Sequence, residues 1–414
     1  MANEPLYPGK TIGLIGLGHN GSELIAAIKH AGYRVAVYVD HAMPEITRAA
    51  DLTMVANYRA KDSLKEFAMS CDVILYPTAT VDAVVLEYLA KFTSVPQGAN
   101  ALEICQDRLM ERAFLDQLNV NVAPYVTVIS LDDVYQSIDA IGYPALLKPI
   151  QRGLGEKSMR IERQTDISRA ADFIDTGTYL LESWIDHTNE YTMVAATNGQ
   201  DTKLFPLTEL VLDEHRKLVE VKTPAAVPDD MMSEMKRITN NVAQNLQYRG
   251  VFTVNFYATG NGNLYVKGVQ PALSVIGNVF DNTATISQEE QFLRAVVGRP
   301  LRQPAITQPG LMMVVRQAQR EAVYRQWLLK DNWQFQFFFN DKRVTDPLAL
   351  AGFVWVTGLE SADKLQNQVD DTEVWTNELP SEAGGDTLTG DPLLDLSSDH
   401  DDGEDGQPKP PANN

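Results

Sequence analysis

The first hundred residues constrain the fold most, because short apolar runs alternate there with amphipathic segments. TIGLIG at residues 11–16 reads as a strand, GLGHNG as a turn and SELIAAIKHAG as a helix, while RVAVYV and VILYP supply later strands. Strands alternating with helices imply a parallel sheet covered on both faces. Gly16, Gly18 and Gly21 form a GxGxxG between strand and helix, where glycines allow a tight turn and helix-start amides can hold an anion. Asp40, near the end of the second strand, is the acid that a dinucleotide site would need. Taken alone, the pattern suits a nicotinamide site, another phosphate, or a turn required only for packing.

Beyond residue 97 the text changes character. NALEICQDRLMERAFLDQL reads as one helix with Leu102, Leu109, Phe114 and Leu118 near one face. VAPYVTV, YPALLKPI, YLLESWI, YTMVAATN and KLFPLTELVL follow as a β-rich stretch, and VFTVNFYATGNGNLYVKGV is a hairpin turning at Gly-Asn-Gly. After Pro300, GLMMVVRQ, WQFQFFF and GFVWVTG suggest a short β-rich domain. The expected organisation is a Rossmann-like domain over 1–100 and a central domain over 101–300, with a lid near 122–185. A small domain over 301–378 and an acidic disordered tail over 379–414 complete it.

Charge narrows the partners. The net charge is −20, and the tail from Pro380 to Asn414 carries nine acids against one lysine. Such a surface opposes nucleic acid, and a tail of this composition cannot bury enough apolar area to order itself. No run of eighteen apolar residues occurs and the N-terminus lacks the features of a secretory signal, so a cytoplasmic protein without membrane contact is expected. The two cysteines, Cys71 and Cys105, read as buried thiols, and the six histidines show no zinc-ligand spacing.

Together, GLGHNG, the QDR-bearing helix, YPALLKP and LLESWI resemble the PurK-type 5-(carboxyamino)imidazole ribonucleotide synthetase family of the ATP-grasp superfamily, from about Thr11 to Gly358. The resemblance implies an α/β ATP-grasp fold with a Rossmann-like pre-ATP-grasp domain and a small β-rich C-terminal domain. It implies ATP as ligand, a homodimer through the N-terminal and central regions, and purine biosynthesis as the setting. By position, Gly16, Gly18 and Gly21 match the substrate-phosphate loop. Arg108 lies in the retained QDR, Lys148 matches the lysine that reaches the ATP phosphates, Glu182 lies in the adenine segment, and Glu190 matches the ribose carboxylate. Arg112 stands where a phosphate lysine is usual.

Elsewhere the chain departs from the pattern, which makes it a degenerate member. The family loop RRGGYDGKGQ is IQRGLGEKSM here, keeping Gly153 and Lys157 but placing Glu156 and Ser158 at glycine positions. The two magnesium-binding glutamates correspond to Asn255 and Gly268, with Lys267 replacing an asparagine. Ala272, Ser274, Val275, Ile276 and Asn278 replace most of PRPHNSGH, and Ala349, Leu350 and Phe353 replace a basic pair and a histidine. No residue is assigned a catalytic role, and magnesium is in doubt. Glu209 and Asp281 are the remaining carboxylates near these segments. The expectation is a nucleotide-binding or partner-binding pseudoenzyme, with a nucleotide or another metabolic enzyme as candidate partner. An active synthetase, an ATP-grasp ligase with another acceptor and a plain scaffold stay open.

Overall fold

The computed structural model describes residues 5–152, 157–174, 177–214, 216–338, 346–375 and 387–389. β1 (Thr11–Ile15), α1 (Gly21–His30), β2 (Arg34–Val39), α2 (Pro44–Thr47), β3 (Leu52–Val55), α3 (Lys61–Met69), β4 (Val73–Leu75) and α4 (Ala83–Leu89) form the first layer. Its sheet is parallel, in the order β3-β2-β1-β4. Gly21, Leu24, Ile25 and Ile28 are the buried face of α1, the helical spacing that apolar residues need to cover a sheet. At the turn before α1, Gly16 has φ +71°, and a Cβ there would stand 2.1 Å from Val81 Cγ2. Glycine is required at that position on both counts.

The expected single helix is two, α5 (Asn100–Gln106) and α6 (Arg108–Gln117). Asp107 adopts extended geometry between them, and its carboxylate accepts from the amides of Leu109 and Met110 as the α6 N-cap. The break frees backbone groups for the loop after Lys148. Arg108 N donates to Ile150 O at 2.7 Å, and Arg152 N donates to Gln106 O at 2.8 Å. It also changes which face of α6 is buried. Arg108, Glu111, Arg112 and Leu115 point inward, while Leu109, Phe114 and Leu118 are only partly covered.

β5 (Tyr125–Val128), α7 (Leu131–Ile141), β6 (Ala145–Pro149), β7 (Lys157–Ile161), α8 (Ala170–Phe173) and β8 (Tyr179–Ser183) make a lid with its own core around Val134, Leu147, Ile161 and Leu181. The body follows with β9 (Asn189–Thr197), β10 (Thr202–Leu204), β11 (Thr208–Leu212), β12 (Leu218–Thr223), α9 (Asp229–Asn245), β13 (Gly250–Ala258), β14 (Leu264–Gln270) and α10 (Gln288–Val297). β15 (Gly310–Arg316), α11 (Arg320–Leu329), β16 (Gln334–Phe337), β17 (Leu350–Thr357) and α12 (Ala362–Asp370) come last. The strands after residue 300 continue the central sheet, since β15 pairs along β12 and supplies the partner its edge amides need. Core residues from β1, β2, β9, β13, β15 and β17 share one cluster, so the layers pack as one body.

Most of the acidic tail lies outside the described residues. Its segment β18 (Thr387–Thr389) pairs antiparallel with β7 at the free edge of the lid sheet. Cys71 and Cys105 are free and buried, as expected. Among the described residues no helix is long and apolar enough to cross a membrane.

Candidate functional site

The inward stripe of α6 meets the end of β6, the end of β8 and the β13–β14 hairpin. Arg108 Nη1 donates to Pro149 O at 2.9 Å. Arg112 donates to Glu182 Oε1 from Nε at 3.1 Å and from Nη2 at 2.6 Å, and Nη2 also reaches Lys267 O at 3.1 Å. Lys148 Nζ holds the other oxygen of Glu182 at 2.9 Å. Burial alone would raise the Glu182 carboxyl, but Arg112 and Lys148 more than reverse that and hold it at about 2. Burial draws the Lys148 ammonium below its ordinary range, with Arg108 and Arg112 adding to the effect and Glu182 opposing it. The structure therefore brings the expected phosphate lysine and adenine-segment glutamate together as an ion pair.

Glu190 lies on β9, and two cations and a histidine converge on it. Lys267 Nζ reaches Oε2 at 3.1 Å, His187 Nε2 reaches Oε1 at 3.1 Å, and Arg216 Nη2 donates to Oε1 as well. Burial would raise this carboxyl, yet Lys267, His187 and Arg216 hold it far below the usual range. Around it, His187 stacks on Tyr257 at 4.2 Å, and the guanidinium groups of Arg160 and Arg216 lie over the Trp184 ring at 4.3 and 5.1 Å. Flat rings beside an acceptor carboxylate suit a base and its sugar.

The hairpin places the two expected metal positions directly opposite each other, because Asn255 and Gly268 are partners in the β13–β14 ladder. Asn255 Oδ1 accepts from the Thr192 hydroxyl at 2.7 Å in a buried contact. Gly268 has no side chain, and a Cβ there would stand 3.0 Å from Glu111 Oε1 and 3.2 Å from Arg152 Nη2. Magnesium takes hard anionic oxygens. Here it would meet an engaged amide, a glycine and a single carboxylate, Glu111, whose two oxygens are already taken by the Val269 amide and the Arg152 guanidinium, so these residues do not fit the ion. Glu209 does not repair the loss, since it sits on β11 and accepts from Asn189 at 2.7 Å. Asp281 ends a short 3-10 helix and is exposed. Among the described residues no group of three or more histidine, cysteine or acidic side chains is arranged to hold a metal.

Glu111 is the residue that sequence reasoning missed. It is fully buried, with Oε1 accepting from Val269 N at 2.7 Å and Oε2 from Arg152 at 2.5 Å, while Arg112 Nη1 lies 3.6 Å away. The signal was present in the spacing, because Arg108, Glu111, Arg112 and Leu115 recur at i, i+3, i+4 and i+7. A charged stripe at that period marks a buried polar site when partners face it.

Gly16, Gly18 and Gly21 lie apart from these ion pairs, against the segment 274–278. The Gly21 amide is bonded to Gly18 O at 2.9 Å, and the Thr78 hydroxyl donates to Gly16 O at 2.7 Å. Asn278 Nδ2 donates to Asn20 Oδ1 at 3.0 Å, while Gln288 donates to both Ser274 O and Asn278 Oδ1. Val275, Ile276, Leu350 and Phe353 belong to the apolar core. The polar side chains of Asn20, Thr78, Asn278 and Gln288 around this turn thus bond to neighbouring protein groups.

Comparison with known proteins agrees with this architecture. A model described as "Ribonucleotide synthetase preATP-grasp domain" matches residues 9–106, and one described as "ATP-grasp domain" matches residues 113–288. The N5-carboxyaminoimidazole ribonucleotide synthase of Bacillus subtilis is 28% identical over 316 residues, covering 76% of this chain and 83% of the relative. The Staphylococcus aureus (strain MRSA252) protein of the same name is 29% identical over 308 residues, covering 74% and 82%. Among solved structures, the S. aureus N5-carboxyaminoimidazole synthetase complexed with ADP superposes with a TM-score of 0.84 at 24% identity, covering 90% of this chain and 99% of that one. The Thermotoga maritima N5-carboxyaminoimidazole ribonucleotide synthetase gives 0.74 at 22% identity, covering 88% and 98%.

Proposed function

Since the chain belongs to the ATP-grasp family of N5-carboxyaminoimidazole ribonucleotide synthetases, we propose that it keeps that family's nucleotide pocket without its carboxylation chemistry. One observation carries the proposal: Asn255 and Gly268, at the positions where the resemblance implies metal-binding glutamates, are ladder partners, and neither offers a carboxylate. Phosphoryl transfer depends on neutralising charge between the phosphates, and a bound metal usually supplies that neutralisation. The adenosine end has the groups a nucleotide needs, with Lys148 and Arg112 at the phosphates, Trp184 and His187 as flat surfaces, and Glu190 for the ribose. The protein on this reading senses a nucleotide or regulates a metabolic enzyme.

The names of the relatives favour a second reading, an active ATP-dependent ligase that carboxylates aminoimidazole ribonucleotide in purine biosynthesis. Its support is likeness along most of the chain. A ligase with a different acceptor would need the same metal chemistry. Incubation with ATP, magnesium, bicarbonate and aminoimidazole ribonucleotide decides between the readings. We expect no ATP-dependent phosphate release above background. Steady turnover that disappears in Lys148→Ala would establish the active synthetase instead.

Self-association is part of the proposal. The resemblance implies a homodimer through the N-terminal and central regions; the exposed Trp327, Leu328 and Leu329 at the end of α11 lie outside them and do not carry this reading. Light scattering at micromolar concentration should return the mass of a homodimer, and a monomer would reject this.

A further inference from the structure

The phosphate end of the pocket contains a guanidinium beside the position where a metal-binding carboxylate is missing. Arg152 Nη2 lies 3.2 Å from where the Cβ of a side chain at position 268 would stand. Set against the loop RRGGYDGKGQ, Arg152 itself stands at a glycine position. A glutamate at 268 would meet the Glu111 carboxylate at close range, so the ancestral ligand and the present ion pair exclude each other.

We infer that this pocket binds the polyphosphate of a nucleotide in metal-free form, with Arg152 supplying beside Gly268 the positive charge that a divalent ion would otherwise bring. The inference rests on the nucleotide-pocket reading above and specifies the state of the ligand. A guanidinium presents N–H groups in a planar fork that matches two phosphate oxygens, and its charge does not titrate. Glu111 aims it: Oε2 takes Arg152, and Oε1 is fixed by the Val269 amide. Arg112, Lys148 and Lys267 belong to the same connected network through Glu182 and the Lys267 carbonyl. Arg112, Lys148, Arg152 and Lys267 carry four positive charges against the three negative charges of Glu111, Glu182 and Glu190, an excess that opposes a divalent ion and favours a bare triphosphate.

Calorimetric titration of the full chain with ATP, inorganic tripolyphosphate and adenosine, each in magnesium and in excess EDTA, tests the inference. ATP should bind with affinities within about threefold of each other in the two buffers. The double variant Arg152→Gln/Glu111→Gln, which removes the cation without stranding its buried partner, should weaken ATP and tripolyphosphate by about tenfold or more, or 1.4 kcal/mol. Adenosine should bind it as it binds the unaltered protein, and an unchanged circular dichroism spectrum certifies the fold. A tenfold loss of ATP affinity on chelation overturns the inference and points to a metal held at Glu111. Unchanged ATP affinity in the folded double variant overturns it equally. If that variant does not fold, Arg152→Lys serves, and an unaltered ATP affinity there defeats the role of the guanidinium fork. Absence of ATP binding in both buffers, or turnover in the carboxylation assay, defeats the pocket reading itself and is told apart from either result.

Discussion

Replacing Glu111 by alanine should lower the unfolding free energy by about 3–5 kcal/mol, the cost of breaking a buried ion pair from one side. Glu111 is fully enclosed and accepts from the Val269 amide and from Arg152, with Arg112 close by. Removing the carboxylate leaves the Val269 amide without this acceptor and deprives two guanidinium groups of their shared anion. The cost therefore exceeds what the lost side-chain volume would give. Glu111→Gln keeps the shape and an acceptor for Val269, so it should fall between the alanine variant and the unaltered protein. Urea unfolding followed by tryptophan fluorescence would measure the series. An alanine variant within 1 kcal/mol of the unaltered protein would mean that water replaces the carboxylate and that the stripe on α6 is not structural.

The same helix shows where the sequence stopped being informative. Local period was enough for the first layer, since TIGLIG, RVAVYV and VILYP are β1, β2 and β4 with at most a residue or two of difference at the ends. The Gly-Asn-Gly turn likewise forecast the β13–β14 hairpin, and motif order was enough to set Asn255 across from Gly268. At Asp107 the forecast failed for a reason that local period cannot carry. An aspartate inside a helical pattern is tolerable as a helix residue and better as a cap, and what decides is the pairing of Arg108 and Gln106 with a loop some forty residues away. Once the helix restarts, its inward face is set by Glu182, Arg152 and Val269, so ion pairs outrank the leucines. The strands after residue 300 follow the same logic. Their alternation was legible, but not that β15 would complete the edge of β12, because strand pairing is a long-range choice. Lys148, Glu182 and Glu190 were legible as positions, and their partners were not.

Changing Glu220 to glutamine should stabilise the protein at pH 8 and leave it little changed at pH 4. Glu220 sits on β12 with only 3% of its surface exposed, and its Oε1 has no hydrogen-bond partner. Burial pushes its carboxyl up to about 7; Lys222 and Gln366 oppose the rise, while Asp370 and Glu209 reinforce it. The folded chain therefore holds this proton through a range in which the unfolded chain, with a carboxyl near 4.5, has already released it. Between those two values the native state binds more protons, so stability falls as pH rises from about 4.5 to about 7 and stays reduced above. Glutamine cannot ionise and removes that loss. With each pKa unit equivalent to about 1.4 kcal/mol, the gain at pH 8 should be roughly 3–4 kcal/mol. Glu289, also raised to about 7 mainly by burial, contributes a slope of the same sign that Glu220→Gln leaves in place. Glu182 and Glu190 have the opposite sense: their folded values are depressed, so their contribution is present above about 4.5 and fades only in stronger acid. Urea midpoints of both proteins at pH 4, 6 and 8 make the comparison. A difference between them that is the same at all three values would show that Glu220 is ionised throughout, paired with Lys222 across the 3.8 Å that separates them.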